Sequence, residues 1–143
     1  MRMKRLLKGL PVLFFLLSVA GCDVSDDGAN YYFVPLQITG VTVPESFQLN
    51  ETYEIGVTYL RPNSCTGFQG FDVISQDSAD TVIRRVVAIG AEFQEASCPE
   101  VNEELQASFQ FICLYSKPYL FRFYTGDDAN GVPQYLEVEV ASY

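Results

Sequence analysis

The 143-residue chain contains no histidine and no tryptophan. Without imidazole there is no Ser-His-Asp or Cys-His pair, no histidine-ligated zinc and no histidine proton shuttle, which excludes the commonest hydrolase chemistries. Basic residues are also scarce, 9 Lys and Arg against 18 Asp and Glu. Four of them, Arg2, Lys4, Arg5 and Lys8, lie in the first 21 residues, which hold no acid, so the rest carries 9 − 4 = 5 basic and 18 acidic residues, a net of −13. Arg61, Arg84, Arg85, Lys117 and Arg122 are too few to bind a phosphate backbone, so no nucleic-acid partner is expected. The same charge repels anionic headgroups, and membrane attachment would need a hydrophobic anchor. After residue 21 there is no long apolar run either.

What is present begins with "MRMKRLLK", a basic lead, followed by the apolar "GLPVLFFLLSVA" at residues 9 to 20. That run is shorter than the roughly 20 residues a membrane-spanning helix needs and has the order of an export signal. It closes on Val19-Ala20-Gly21-Cys22, an aliphatic residue, two small residues and a cysteine. This arrangement resembles the lipobox of bacterial lipoprotein precursors. The resemblance covers about the first 25 residues and implies diacylglycerol on the Cys22 thiol, cleavage before Cys22, and palmitate-like acylation of the new amino terminus. Two or three acyl chains exceed the marginal hold of one, so the lipid bilayer becomes a partner through Cys22. Asp23 is similar to an inner-membrane retention signal, whereas "SDD" at residues 25 to 27 is similar to an acidic tether of surface lipoproteins. We expect an outer-membrane location in a Gram-negative-type envelope, facing periplasm or cell surface.

Three segments follow: a signal peptide (1–21), a lipidated acidic tether (22–30) and a β-domain (31–143). The tether is polar and too poor in apolar residues to order itself. Beyond it, runs rich in Val, Ile, Thr, Tyr and Phe alternate with turn residues and predict strands near 31–37, 40–44, 52–60, 68–75, 81–89, 106–115, 119–125 and 134–141. Only "CPEVNEELQA" hints at a helical period. In "TYEIGVTYL" Tyr53, Ile55, Val57 and Tyr59 share one face, as expected for a strand buried on one side.

Two hairpins are expected. One closes through "QDSAD"; the other has Asn130-Gly131, a type I′ signal, and sets Tyr119, Phe121 and Phe123 opposite Leu136, Val138 and Val140, with Arg122 facing Glu137 or Glu139. Seven to eight short antiparallel strands in this length predict an all-β fold, a two-sheet β-sandwich. The pattern resembles an immunoglobulin-like domain, with Tyr119 placed as a tyrosine corner would be. The antibody Cys, Trp, Cys spacing is missing, so fibronectin-like, other sandwich and small-barrel topologies stay open.

With Cys22 lipidated, Cys65, Cys98 and Cys113 remain in an oxidising compartment. Cys113 alternates with Phe109, Phe111 and Tyr115 and is expected to be a free buried thiol. Cys65 and Cys98 both sit in turn-like sequence and are expected to pair, although spacing alone leaves an unbridged chain open.

Candidate chemistry is thin. "GDDANGVPQYLE" places Asp128, Asn130, Gly131 and Glu137 like a calcium loop, but Gly126 stands where an acid is needed and strands flank it, so a hairpin loop and no metal is expected. Ser116-Lys117 precedes Pro118 in turn-like sequence, with no desolvated base or oxyanion hole nearby. Tyr31, Tyr32 and Phe33 border tether and domain: Phe33 is expected to be buried, and Tyr31 and Tyr32 are possible ligand-stacking residues. The sequence therefore points to a non-enzymatic envelope module without a cofactor, whose partner is an unknown envelope protein. The alternative is a surface carbohydrate-binding accessory lipoprotein.

Overall fold

A computed structural model describes residue 28 and residues 30–143. The segment expected to be a signal peptide, Cys22 and most of the expected tether lie outside the described residues. The described chain forms nine strands: β1 (Tyr31–Leu36), β2 (Ile38–Thr42), β3 (Ser46–Phe47), β4 (Thr52–Asn63), β5 (Thr66–Ser75), β6 (Val82–Phe93), β7 (Glu100–Ile112), β8 (Tyr119–Asp127) and β9 (Pro133–Ser142).

Two sheets pack as a β-sandwich. The smaller has the order β2-β4-β7. In the larger, β6 is the hub. One edge pairs with β5; the other is shared by β8, along Val82–Val86, and by β1, along Ala88–Phe93, and β9 and β3 extend the sheet beyond β8. Alternation supplies the apolar faces between the sheets: Ile55, Val57 and Tyr59 from β4, Val82, Val86 and Ala88 from β6, Tyr119, Phe121 and Phe123 from β8. Burying each such large side chain contributes about 1.5–3 kcal/mol.

The expected sandwich is there, with three corrections. The strand count is nine, because β3, only two residues long, leaves no pattern in the sequence. Two pairs, β6 with β8 and β3 with β9, are parallel, so the sandwich is not wholly antiparallel. The segment with a helical hint is β7, since pairing with β4 from Thr52↔Ile112 to Asn63↔Glu100 outweighs a weak local preference. The immunoglobulin likeness extends to two packed sheets and to Tyr119, whose buried hydroxyl accepts hydrogen bonds from the backbone N–H groups of Leu114 (3.0 Å) and Tyr115 (3.1 Å).

The last hairpin brings the expected faces together, and its register, Tyr119↔Val140, Phe121↔Val138 and Phe123↔Leu136, decides between the two acids left open for Arg122: it lies opposite Glu137 and is bonded to it at 2.9 Å. Its turn is not type I′. That type needs positive φ at two successive residues, and only Gly131 has one (74°). Instead Gly131 N–H bonds the Asp128 carbonyl, while Asp128 Oδ1 accepts from the N–H groups of Asn130 and Val132. Asp at the first and Gly at the fourth position suit a type I turn.

Phe47 binds the two sheets together at one end of the sandwich. It is fully buried, and its ring lies 4.8 Å from Tyr53, 5.1 Å from Phe111 and 5.6 Å from Tyr119. The ring of Tyr53 turns its hydroxyl to accept from the Gln48 N–H, fixing the short β3 from a second side.

Candidate functional site

Three surfaces are candidates. The first is where the chain enters β1. Tyr31 and Phe33 point to the outer face of the larger sheet, and β6 brings Phe93 opposite Tyr31. The Tyr31 ring is 5.5 Å from Phe33 and 5.6 Å from Phe93, at interplanar angles of 74° and 48°. All three are exposed: Tyr31 by 39%, Phe93 by 44% and Phe33 by 64%.

Phe33 is therefore not buried as expected. Val34 and Leu36 occupy the inward positions of β1, so odd-numbered residues face out. Tyr31 and Tyr32, the two candidate ligand-stacking residues, are both exposed but set on opposite faces by the same alternation. Tyr32 lies on the other face, exposed, and donates to Glu92 at 2.8 Å; that bond first, then slight desolvation and the carboxylate charge, pushes its pKa up. Sequence reasoning misses the third ring, Phe93, whose only signal is its place at the end of an alternating run.

The same end carries the covalent brace. Cys65 and Cys98 form a disulfide across a Cα–Cα distance of 5.3 Å. The Cys65 carbonyl accepts from the Phe93 N–H, which ties the bridge to the strand bearing the exposed ring. Cys113 is free and fully buried, and its thiol donates to the Tyr115 carbonyl. Tyr115 leaves the alternating face after β7 ends and is exposed.

The second surface is a groove of 340 Å³ on the outer face of the smaller sheet. Gly56 forms its floor. Thr42, Glu54, Thr58, Gln106 and Ser108 surround it, and the Ser108 hydroxyl donates to Glu54. These groups offer hydroxyls, an amide and a single carboxylate around a place where a side chain is missing.

The third is the outer edge of β7, to which no strand pairs among the described residues. Cys113 exchanges backbone bonds with Glu51 and Asn50, toward β4. By alternation the N–H and C=O groups of Gln106, Ser108, Gln110 and Ile112 face away from β4, along the open edge. The half from Glu100 to Glu104 is protected by three acids and by a bulge at Asn102, whose φ is 44°. The half from Leu105 to Ile112 has neither charge nor bulge.

The other candidates are used structurally. Asp128 caps its own turn, Glu137 holds Arg122, and Lys117 Nζ donates to the Ala79 carbonyl. Among the described residues there is no group of three or more His, Cys, Asp and Glu placed to hold a metal ion. No protein-family model, curated protein or solved structure matches the chain.

Proposed function

We propose that this chain is a lipoprotein of a Gram-negative-type outer membrane, anchored through acylated Cys22, whose β-sandwich is a non-enzymatic module for contact with another envelope protein. The observation that carries the reading is the Cys65–Cys98 disulfide in a chain whose first 22 residues resemble an export signal closed by a lipobox. Such a bridge persists in oxidising compartments, the setting in which an exported, lipid-anchored domain folds. The open half of β7 supports an interaction role, because a strand edge with free N–H and C=O groups is a template for an added strand.

Fractionation tests the anchor. The full chain is expected with the outer membrane and released only by detergent, while Cys22→Ser loses that association; wild-type chain in the soluble fraction overturns the reading. A photo-crosslinking residue in place of Gln110 tests the contact. It should give a discrete adduct in intact cells, and the same residue in place of Asp80 should give none. Equal, diffuse labelling from both positions contradicts the role.

The polar groove over Gly56 favours a second reading, a surface carbohydrate-binding accessory lipoprotein. Hydroxyl, amide and carboxylate groups match sugar hydroxyls, whereas the tilted rings of Tyr31, Phe33 and Phe93 offer no flat stacking platform. Glycan binding that is abolished when Gly56→Val fills the groove would support it; no binding to any glycan tested would remove it.

A further inference from the structure

We propose that the face formed by Tyr31, Phe33 and Phe93 is a membrane-docking surface, which enters the headgroup region of the bilayer that holds Cys22. The proposal rests on the anchored reading above and adds how the domain sits on its membrane.

The argument starts from chain length. Nine peptide steps separate Cys22 from Tyr31, and at the full extension of a polypeptide they reach about 30 Å. The start of β1 is therefore held within that distance of the lipid surface, however the domain turns. The three rings gather at this end. Tyr31 touches both Phe33 and Phe93, no other layer of the described sandwich covers the three rings, and the disulfide fixes the backbone beneath Phe93.

Chemistry selects the occupant. A water-exposed cluster of Phe and Tyr costs solvation, and a tyrosine ring with a polar tip suits the boundary between headgroups and acyl chains. Tethering raises the effective concentration of bilayer around the rings so far that a weak partition, insufficient for a free protein, becomes occupied. The net charge of −13 carried by the residues after position 21 opposes anionic lipid, so docking is driven by the rings and favours zwitterionic headgroups. Acyl chains would then act as the leash, and the aromatic face would set orientation, turning the open β7 edge and the polar groove to defined angles from the membrane.

The lack of tryptophan makes the test direct. Phe33→Trp, at a position 64% exposed, introduces a single reporter without disturbing the core. The full chain is expressed with its own leader in a Gram-negative host, recovered in detergent and reconstituted into phosphatidylcholine vesicles containing brominated phosphatidylcholine. Emission from the introduced indole should shift to the blue and lose more than about half its intensity, as for an indole at the membrane interface. Adding Tyr31→Ser and Phe93→Ser should restore the intensity, and phosphatidylglycerol should weaken the quenching.

Unquenched, water-like emission of the Phe33→Trp chain, when that chain is acylated and floats with the vesicles, overturns docking and leaves the anchor standing. A blue shift that appears only when envelope proteins are added also overturns it, in favour of a protein partner. If intact mass shows no acyl group, the anchor reading fails. Coupling the Cys22 thiol to a maleimide lipid then lets the same quenching decide the docking face by itself.

Discussion

Aromatic rings gather at both ends of β6, with opposite fates. Near Val82, Phe47, Phe111, Tyr119 and Phe121 are enclosed between the sheets, the other three each within 6.0 Å of Phe47. Near Phe93, rings of the same chemistry and similar spacing stand in water. The difference is the layer opposite. Inward positions meet the second sheet; outward positions meet nothing further in the described chain. Composition cannot separate the two groups, because strand parity and a covering layer decide which ring is core. The ends are also braced differently, one by packed rings and a tyrosine hydroxyl, the other by a disulfide.

The contrast can be broken at its strongest point with Phe47→Ala. Removing a fully buried ring that joins both sheets should cost about 3–5 kcal/mol, read as a lower denaturant midpoint at unchanged slope. At the opposite end, Cys65→Ser with Cys98→Ser opens a bridge of sequence separation 33 and should cost about 3–4 kcal/mol by the chain-entropy account. Amides that exchange only through global unfolding should lose that same protection throughout, while those around Thr66 and Phe93 should in addition open locally. Absence of any extra local opening there would contradict separate bracing of the two ends.

A finer cut is Tyr119→Phe, which leaves two backbone N–H groups without their acceptor and should cost about 1–3 kcal/mol. It should also change the alkaline limb. Burial pushes the Tyr119 pKa up, opposed by the hydrogen bonds from Leu114 and Tyr115, with the Cys113 thiol adding to the rise. The neutral phenol is thus favoured in the folded state. Its contribution is complete below the ordinary tyrosine value of about 10 and is lost as pH climbs through the folded value. Wild type should lose stability above about pH 10, and Tyr119→Phe should lose less over that interval, part of the remainder coming from Tyr59 and Tyr124, which burial raises, and from Tyr32, which its bond to Glu92 raises. The smallest effect belongs to Phe33→Ser, which should change stability by no more than about 0.5 kcal/mol despite deleting a phenylalanine ring. A large loss there would mean that the exposed face is structural.

Much of the fold is legible in the sequence because alternation is a strong signal wherever one face is buried. The β4 face and the facing sets of β8 and β9 follow from it, whereas the choice of Glu137 over Glu139 for Arg122 needs the register, which alternation leaves open. The cysteine pairing is legible from turn-like sequence around two residues and an apolar context around the third. What escapes has identifiable causes. Two residues of β3 are too few to show a period, and Phe47 is placed by contacts far away in the chain. The parallel pairing of β6 with β8 depends on a crossover that no local pattern encodes. Phe33 is misassigned because a run of three aromatics, Tyr31 to Phe33, hides which parity faces in; Val34 and Leu36 carry that information. The polar groove has no signal at all, since it arises from Gly56 lying beside Thr42 on one strand and Ser108 on another.

The central claim, an acyl anchor ahead of a disulfide-braced sandwich, is tested most directly by the intact mass of native chain from membranes, taken before and after alkylation without reductant. The account predicts a chain starting at residue 22, heavier by two or three acyl groups, in which only Cys113 is alkylated and only after unfolding. A chain that still starts at Met1, or one in which Cys22 takes up the alkylating agent, would contradict it.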